Sequence, residues 1–286
     1  MCRLFAQVAG AELDALDPLA DSEFSLLRQA NFDPKNEQRD GWGLGWFENG
    51  KARVEKSARP AFQESARFRA LASQARSKVV IGHIRAASNP LKLDAGALLD
   101  AKNNQPFTDG TWLFAHNGTL EIPNEVEAEL GTFSSKKVSQ NDSEVYFLHW
   151  LKHFERANGD PARGFRDCVD EIWEIWNSGA ASAHPGKSTP YTSLNALVSD
   201  GTRLFAFCHA ARRGLAECGV CNPTQHWSRM SWSERGDRVL VASENTDRGS
   251  WERADPPELL IVDSPRSVRR QRLAGLPQME LAGRKG

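Results

Sequence analysis

Met1-Cys2-Arg3-Leu4-Phe5-Ala6-Gln7-Val8 opens the chain as an apolar run of strand type, with a thiol as the first residue after the initiator. Runs of the same kind, rich in Val, Ile, Leu and aromatics, recur at 42–47, 52–56, 79–86, 111–115, 194–199, 203–208, 238–242 and 259–262 and read as strands. Asn49-Gly50 and Asp200-Gly201 each join two such runs with residues that accept tight hairpin turns, so antiparallel sheets are expected. Helical periodicity appears at 65–76, 142–156 and 161–176; in the second of these, Val145, Leu148, Leu151 and Phe154 recur every three residues. Ser139, three residues before Asp142, has the spacing of a helix start, with an acid against the positive dipole end. Many antiparallel strands with dispersed helices predict an α+β layered fold, sheets inside and helices outside.

Composition narrows the class. A chain of 286 residues can bury a full core, and 40% hydrophobic with 26% charged residues argues against disorder, collagen or coiled coil. Lys and Arg number 36 against 37 Asp and Glu, so no global field recruits nucleic acid or a membrane surface. Five cysteines with one close pair do not make a secreted disulfide framework. No signal peptide and no apolar run of about 18 residues is present, and a cytoplasmic location is expected. No linker-like break divides residues 1–263. Residues 264–286 carry six basic side chains against one acidic and read as a basic, solvated, partly frayed tail.

Removal of Met1 would leave Cys2 with a free α-amino group. A thiol titrates near about 8.5 and an α-amine near about 7.7–8.0, so the amine is matched to take the thiol proton; an N-terminal nucleophile carries its own base. Acyl transfer also needs oxyanion donors and substrate clamps. Ala115-His116-Asn117-Gly118 ends a strand, with Asn117 offering a side-chain N–H and Gly118 a backbone N–H. Gly82-His83-Ile84-Arg85 ends another in a guanidinium suited to bidentate capture of a carboxylate. Asp142 at a helix start can hold an ammonium. Singly, these have plainer readings: a hairpin turn, a surface ion pair, a helix cap. Trp42 and Trp251 are candidates for the substrate entrance, whereas Trp150, Trp173 and Trp176 fall on helical faces and read as core. His116 is read as structural. Cys218 and Cys221 have zinc spacing, with Cys208, His209 and His226 as possible further ligands, but no second close pair supports them, and Cys208 reads as a buried free thiol.

Taken in order, Met1-Cys2-Arg3-Leu4, Asp40-Gly41-Trp42-Gly43, Gly82-His83-Ile84-Arg85, Ala115-His116-Asn117-Gly118 and Asn141-Asp142-Ser143-Glu144 resemble the motifs of the class-II glutamine amidotransferases. These are N-terminal-nucleophile hydrolases. Val198-Ser199-Asp200-Gly201, Ala242-Ser243-Glu244-Asn245 and Trp251 look like the stand-alone subgroup, which includes the γ-glutamyl hydrolase of ergothioneine biosynthesis. The resemblance spans Met1 to about Val262 and implies a four-layer αββα sandwich with two mainly antiparallel sheets. It further implies hydrolysis of glutamine or a γ-glutamyl amide through a thioester on Cys2, with no cofactor. Asn117 and Gly118 would hold the oxyanion, Arg85 the substrate α-carboxylate and Asp142 its α-ammonium, with Trp42 and Gly43 at the substrate. One departure stands out: a segment that commonly reads His-Pro-Phe in relatives is Gln105-Pro106-Phe107 here, and no role is assigned to Gln105. Two other readings remain: a glutaminase subunit passing ammonia to a separate synthase partner, and a non-catalytic metal module on Cys218 and Cys221.

Overall fold

The strand signals pair into two sheets. The computed structural model describes residues 2–213, 219–221, 225 and 229–280. One sheet has seven strands in the order β12 (Glu252–Arg253), β10 (Ser231–Glu234), β11 (Arg238–Ala242), β1 (Arg3–Leu13), β4 (Ser77–Ile84), β2 (Trp42–Glu48) and β3 (Lys51–Ser57). The other has six: β14 (Ser267–Arg272), β13 (Glu258–Ser264), β8 (Leu204–Cys208), β7 (Asn195–Ser199), β6 (Leu113–Asn117) and β5 (Phe107–Thr108). Every pairing in both sheets is antiparallel, and the Asn49-Gly50 and Asp200-Gly201 turns join β2 to β3 and β7 to β8 as expected. Two short strands, β9 (Arg212–Arg213) and β15 (Met279–Glu280), form a separate parallel pair.

Alternation along the strands builds the layers. From β1, Leu4, Ala6 and Val8 point inward and meet Leu113, Ala115 and Leu197 of the opposite sheet. Phe5, between them in sequence, points outward and packs with Trp42, Leu44 and Phe68 under α1 (Leu26–Gln29) and α2 (Ser65–Gln74). Across the sandwich, Phe114, Val198 and Phe207 face Tyr146, Trp150 and Phe165, from α5 (Asp142–Arg156) and α6 (Pro161–Ile175). The result is the αββα sandwich. Trp150 and Trp176 are buried in that outer core and Trp173 packs against it, as the helical spacing predicts. The remaining helices are short: α3 (Ala95–Leu98), α4 (Pro123–Ala128) and α7 (Ala181–Ala183). Among the described residues no helix is long and apolar enough to cross a membrane.

Two local expectations are corrected. Helix α5 is capped by Asn141, whose side chain accepts from Ser143 N at 2.8 Å; Ser139 instead accepts from Asn141 N at 3.2 Å. Glu144 turns back to take the Val138 and Ser139 amides, so the segment before the helix is tied down by its own acid. The first part of the basic tail is not frayed. Ser267–Arg272 forms β14 and pairs along β13, and its cations lie beside acids: Arg270 with Glu258 at 2.7 Å, Arg269 with Asp263 at 2.9 Å, and Arg272 with Asp255, just before β13, at 2.9 Å.

Candidate active site

Strand β1 carries Cys2 to one end of the gap between the sheets, and the chain beside it is held on several sides. Leu4 N donates to Ser243 Oγ at 2.9 Å, and Ser243 N donates back to Leu4 O at 3.0 Å. Arg3 Nη1 donates to Cys2 O at 3.2 Å, while Arg3 Nε lies 3.1 Å from Glu244 Oε2 in a buried ion pair. Breaking such a pair on one side leaves an uncompensated buried charge, at about 3–5 kcal/mol. The Cys2 thiol is buried and sits 3.4 Å from both the N–H and the carbonyl of Ala86. Burial pushes its pKa above the ordinary thiol value, while the Ala86 amide and the Arg85 charge pull the other way.

Strand β6 ends beside it on Asn117. The Asn117 side chain is buried, and its Nδ2 has no hydrogen-bond partner among the described residues. A buried unpaired donor costs about 1–3 kcal/mol, and Asn117 belongs to a cavity wall. The cavity it lines is about 300 Å³, with Cys2, Gly118, Ser88, Thr119 and Thr192 among its walls. Gly118 has a packing reason for being glycine: a Cβ there would stand 2.0 Å from Ser193 O and 2.7 Å from His116 Nε2. The His116 ring is spanned by Ser143 Oγ on Nδ1 and Ser193 O on Nε2, each at 2.9 Å. Burial lowers its pKa to about 4. It is a neutral structural wedge between β6, β7 and α5.

A second, narrower cavity adjoins the first and is lined by Cys2, Gly118, Arg85, Asp142, Ser143 and Gln105, among others. Arg85 is buried, with Nη1 donating to Leu98 O at 2.9 Å and Asn104 Oδ1 at 3.4 Å; Nε and Nη2 make no bond within the described residues. Asp142 Oδ2 accepts from Leu120 N at 2.8 Å. Burial raises the Asp142 pKa to about 7, against the Leu120 hydrogen bond and the Arg85 charge. The thiol and two groups of opposite charge, Arg85 and Asp142, thus line the narrower cavity, and the thiol and Gly118 also border the larger one, where Asn117 stands.

The structure does not bring Trp42 or Gly43 there. Trp42 lies on the outward face of β2, fully buried, its Nε1 donating to Glu64 at 3.1 Å and its ring edge-on to Phe68. Gly43 faces inward, but the Gln105 carbonyl would lie 2.2 Å from a Cβ placed on it; close packing accounts for that glycine. Trp251 donates to Asp247 and lies under the Arg235 guanidinium, packed against the first helical layer. Cys218 and His226 lie outside the described residues. Cys208 is buried in β8 with Met230 N donating to its sulfur at 3.4 Å.

Gln105 and Asp40 were not anticipated. Gln105 Oε1 accepts from His116 N at 2.6 Å and Nε2 donates to His116 O at 3.2 Å, so one side chain grips both sides of the residue before Asn117. Asp40 Oδ2 accepts from Ala87 N at 2.7 Å and fixes the loop that lines both cavities. The signal for Gln105 was its departure from the common His-Pro-Phe; that for Asp40 was its place in a motif already quoted.

A sequence-family model described as class-II glutamine amidotransferases matches residues 1–271. The chain is 29% identical over 276 residues to the gamma-glutamyl-hercynylcysteine sulfoxide hydrolase of Mycobacterium tuberculosis, covering 92% of each chain. It is 28% identical to the Mycolicibacterium smegmatis protein of the same name, covering 92% of this chain and 95% of that one. Among solved structures, a class-II glutamine aminotransferase domain protein from Silicibacter pomeroyi superposes with a TM-score of 0.62 at 19% identity, covering 96% of this chain and all of that one (100%). The glutamine phosphoribosylpyrophosphate amidotransferase of Bacillus subtilis gives 0.59 at 16%, covering 96% of this chain and 50% of that one. These two likenesses speak for the fold.

Proposed function

Because this chain belongs to the class-II glutamine amidotransferases, we propose that it hydrolyses γ-glutamyl amides at Cys2 through a γ-glutamyl thioester. The carrying observation is the shared space: Cys2, Arg85, Gly118 and Asp142 line one cavity, and the buried Asn117 Nδ2 beside it has no partner. Arg85 takes the substrate α-carboxylate and Asp142 its α-ammonium, which places the side-chain amide at the thiol. Cys2 Sγ bonds to the amide carbon while its proton passes to the freed α-amine, and the oxyanion accepts from Asn117 Nδ2 and Gly118 N. The C–N bond breaks as the α-amine returns that proton to the departing nitrogen. Water, losing a proton to the same amine, then attacks the thioester; glutamate leaves and the thiol is restored.

Arg85 and Asp142 read the end common to all γ-glutamyl compounds, and the leaving amine occupies the larger cavity. The mycobacterial relatives, named for a γ-glutamyl-hercynylcysteine sulfoxide, make amides of modified cysteines the first substrates to try. The test is a panel of γ-glutamyl amides, including that sulfoxide and glutamine, with release of glutamate as readout, Cys2→Ala as control and intact mass to locate Met1. Turnover by protein lacking Met1, absent in Cys2→Ala, is expected. Activity with Met1 retained would overturn the mechanism; glutamine turnover arising only with an added synthase would replace hydrolysis by ammonia transfer.

A further inference from the structure

On the far side of the second sheet, α5 and α6 pack along each other, and three ligating side chains meet in the seam. His149 and His153, four residues apart, lie one turn apart on the same face of α5; Glu171 faces them from α6. Their Nε2 atoms are 3.3 Å apart. His153 Nε2 is 2.9 Å from Glu171 Oε2, and His149 Nε2 touches the same oxygen. The rings are buried and the carboxylate is partly open to solvent. A tetrahedral ion bound by two imidazoles at roughly 2.0–2.1 Å has an N···N edge of roughly 3.3 Å, the separation seen. The second nitrogen of His149 is occupied too: Nδ1 lies 3.1 Å from Cys168 Sγ. In the metal-free form Nε2–H donates to the Glu171 carboxylate; on binding an ion the proton would move to Nδ1 and the sulfur, freeing the Nε2 lone pair, as outer-shell partners do for metal-bound histidines.

We propose that His149, His153 and Glu171 form a binding site for one borderline divalent cation, Zn²⁺ first, which clips α5 to α6. Two imidazoles and a carboxylate suit zinc, cobalt or nickel better than the hard ions that take all-oxygen shells. A fourth position, on the exposed side of Glu171, is left for water. The competitor is internal. Lys152 Nζ contacts Glu171 Oε2 and also donates to Glu129 O at 3.1 Å, so without an ion the ammonium balances the carboxylate. Binding displaces Lys152 from Glu171 and leaves it on the Glu129 carbonyl. The site stands at the last turns of α5, whereas Asp142 is at its first residue; the ion therefore acts on helix docking and not on the γ-glutamyl reaction.

The experiment uses the full chain carrying Cys2→Ala, which removes the one thiol of the candidate active site, stripped with chelator and titrated with Zn²⁺ by calorimetry and with Co²⁺ by visible absorption. One ion per chain is expected, with tetrahedral-type cobalt bands and a melting temperature raised by several degrees in excess zinc. His153→Gln should weaken binding by about 100-fold or more while the metal-free melting temperature stays near that of the parent; Glu171→Gln should weaken it likewise and lower the metal-free melting temperature, because the buried Lys152 ammonium loses its counter-charge. Lys152→Gln should tighten it roughly tenfold by removing the competing charge. No binding by the parent, or binding unchanged in His153→Gln and Glu171→Gln, overturns the proposal. So does an ion lost on Cys221→Ser instead, which would assign it to the Cys218–Cys221 pair.

Discussion

Asn117→Ala should separate catalysis from folding. In most proteins, truncating a buried Asn breaks hydrogen bonds of the native state and costs stability. Here Nδ2 has no partner to lose, and a buried unpaired donor already weighs about 1–3 kcal/mol against the fold. Removing it relieves that burden and leaves a small void, so the two changes offset and the melting temperature should stay level or rise. In the proposed mechanism the same atom donates to the forming oxyanion, where one such bond is worth about 10²–10³ in kcat, or about 2.7–4 kcal/mol. Initial rates on γ-glutamyl-p-nitroanilide, read by released nitroaniline, should show kcat and kcat/KM falling together by that factor. Thermal unfolding of the same sample supplies the second readout. A loss of under about tenfold in kcat, or a loss matched by a drop in melting temperature, would refute the assignment of this donor to the oxyanion.

Asp142 should set a pH dependence. Its pKa is raised to about 7 by burial against about 3.9 in an unfolded chain, so between those values the native state holds a proton that the unfolded state has lost. Stability therefore falls as pH rises through this window. Asp142→Asn should flatten that slope in denaturation curves collected from pH 4 to 8. Binding runs the opposite way, since an ammonium requires the ionised acid: affinity for L-glutamate should strengthen as pH rises through about 7, and the Asn variant should lose that rise. Gln105→Glu keeps the acceptor for His116 N but sets a carboxylate oxygen against His116 O, where the amide now donates. Loss in kcat with little change in KM is expected; equal losses in both constants would argue against a positioning role.

The sandwich was legible because apolar runs, two hairpin turns and helical periodicity are local signals, and each produced its element. Their limits were local as well. Ser139 has the spacing of a cap, but Asn141 won it because Glu144 draws the Val138 and Ser139 amides back on themselves. Residues 267–272 look like a free basic end until the acids of β13, far less conspicuous in sequence, turn out to run alongside. Trp42 stands within a motif of the site and yet faces away from it, since strand alternation sends neighbours to opposite faces and only the outward face of β2 has room for an indole beside Phe68.

What the sequence determined by itself is the chemistry at hand: a thiol at position 2, an Asn-Gly pair, an arginine and an aspartate, in an order that marks the family. Those identities are covalent facts and need no fold. Their convergence was decided only by the tertiary structure. Cys2, Arg85, Gly118 and Asp142 come from β1, the end of β4, the end of β6 and the start of α5, and they line one cavity because the two sheets stack with those ends together. The same stacking made Gln105 a brace, left Asn117 Nδ2 without a partner, and set Glu171 against two histidines of the neighbouring helix. Distances across chain segments arise from packing, and no local pattern encodes them.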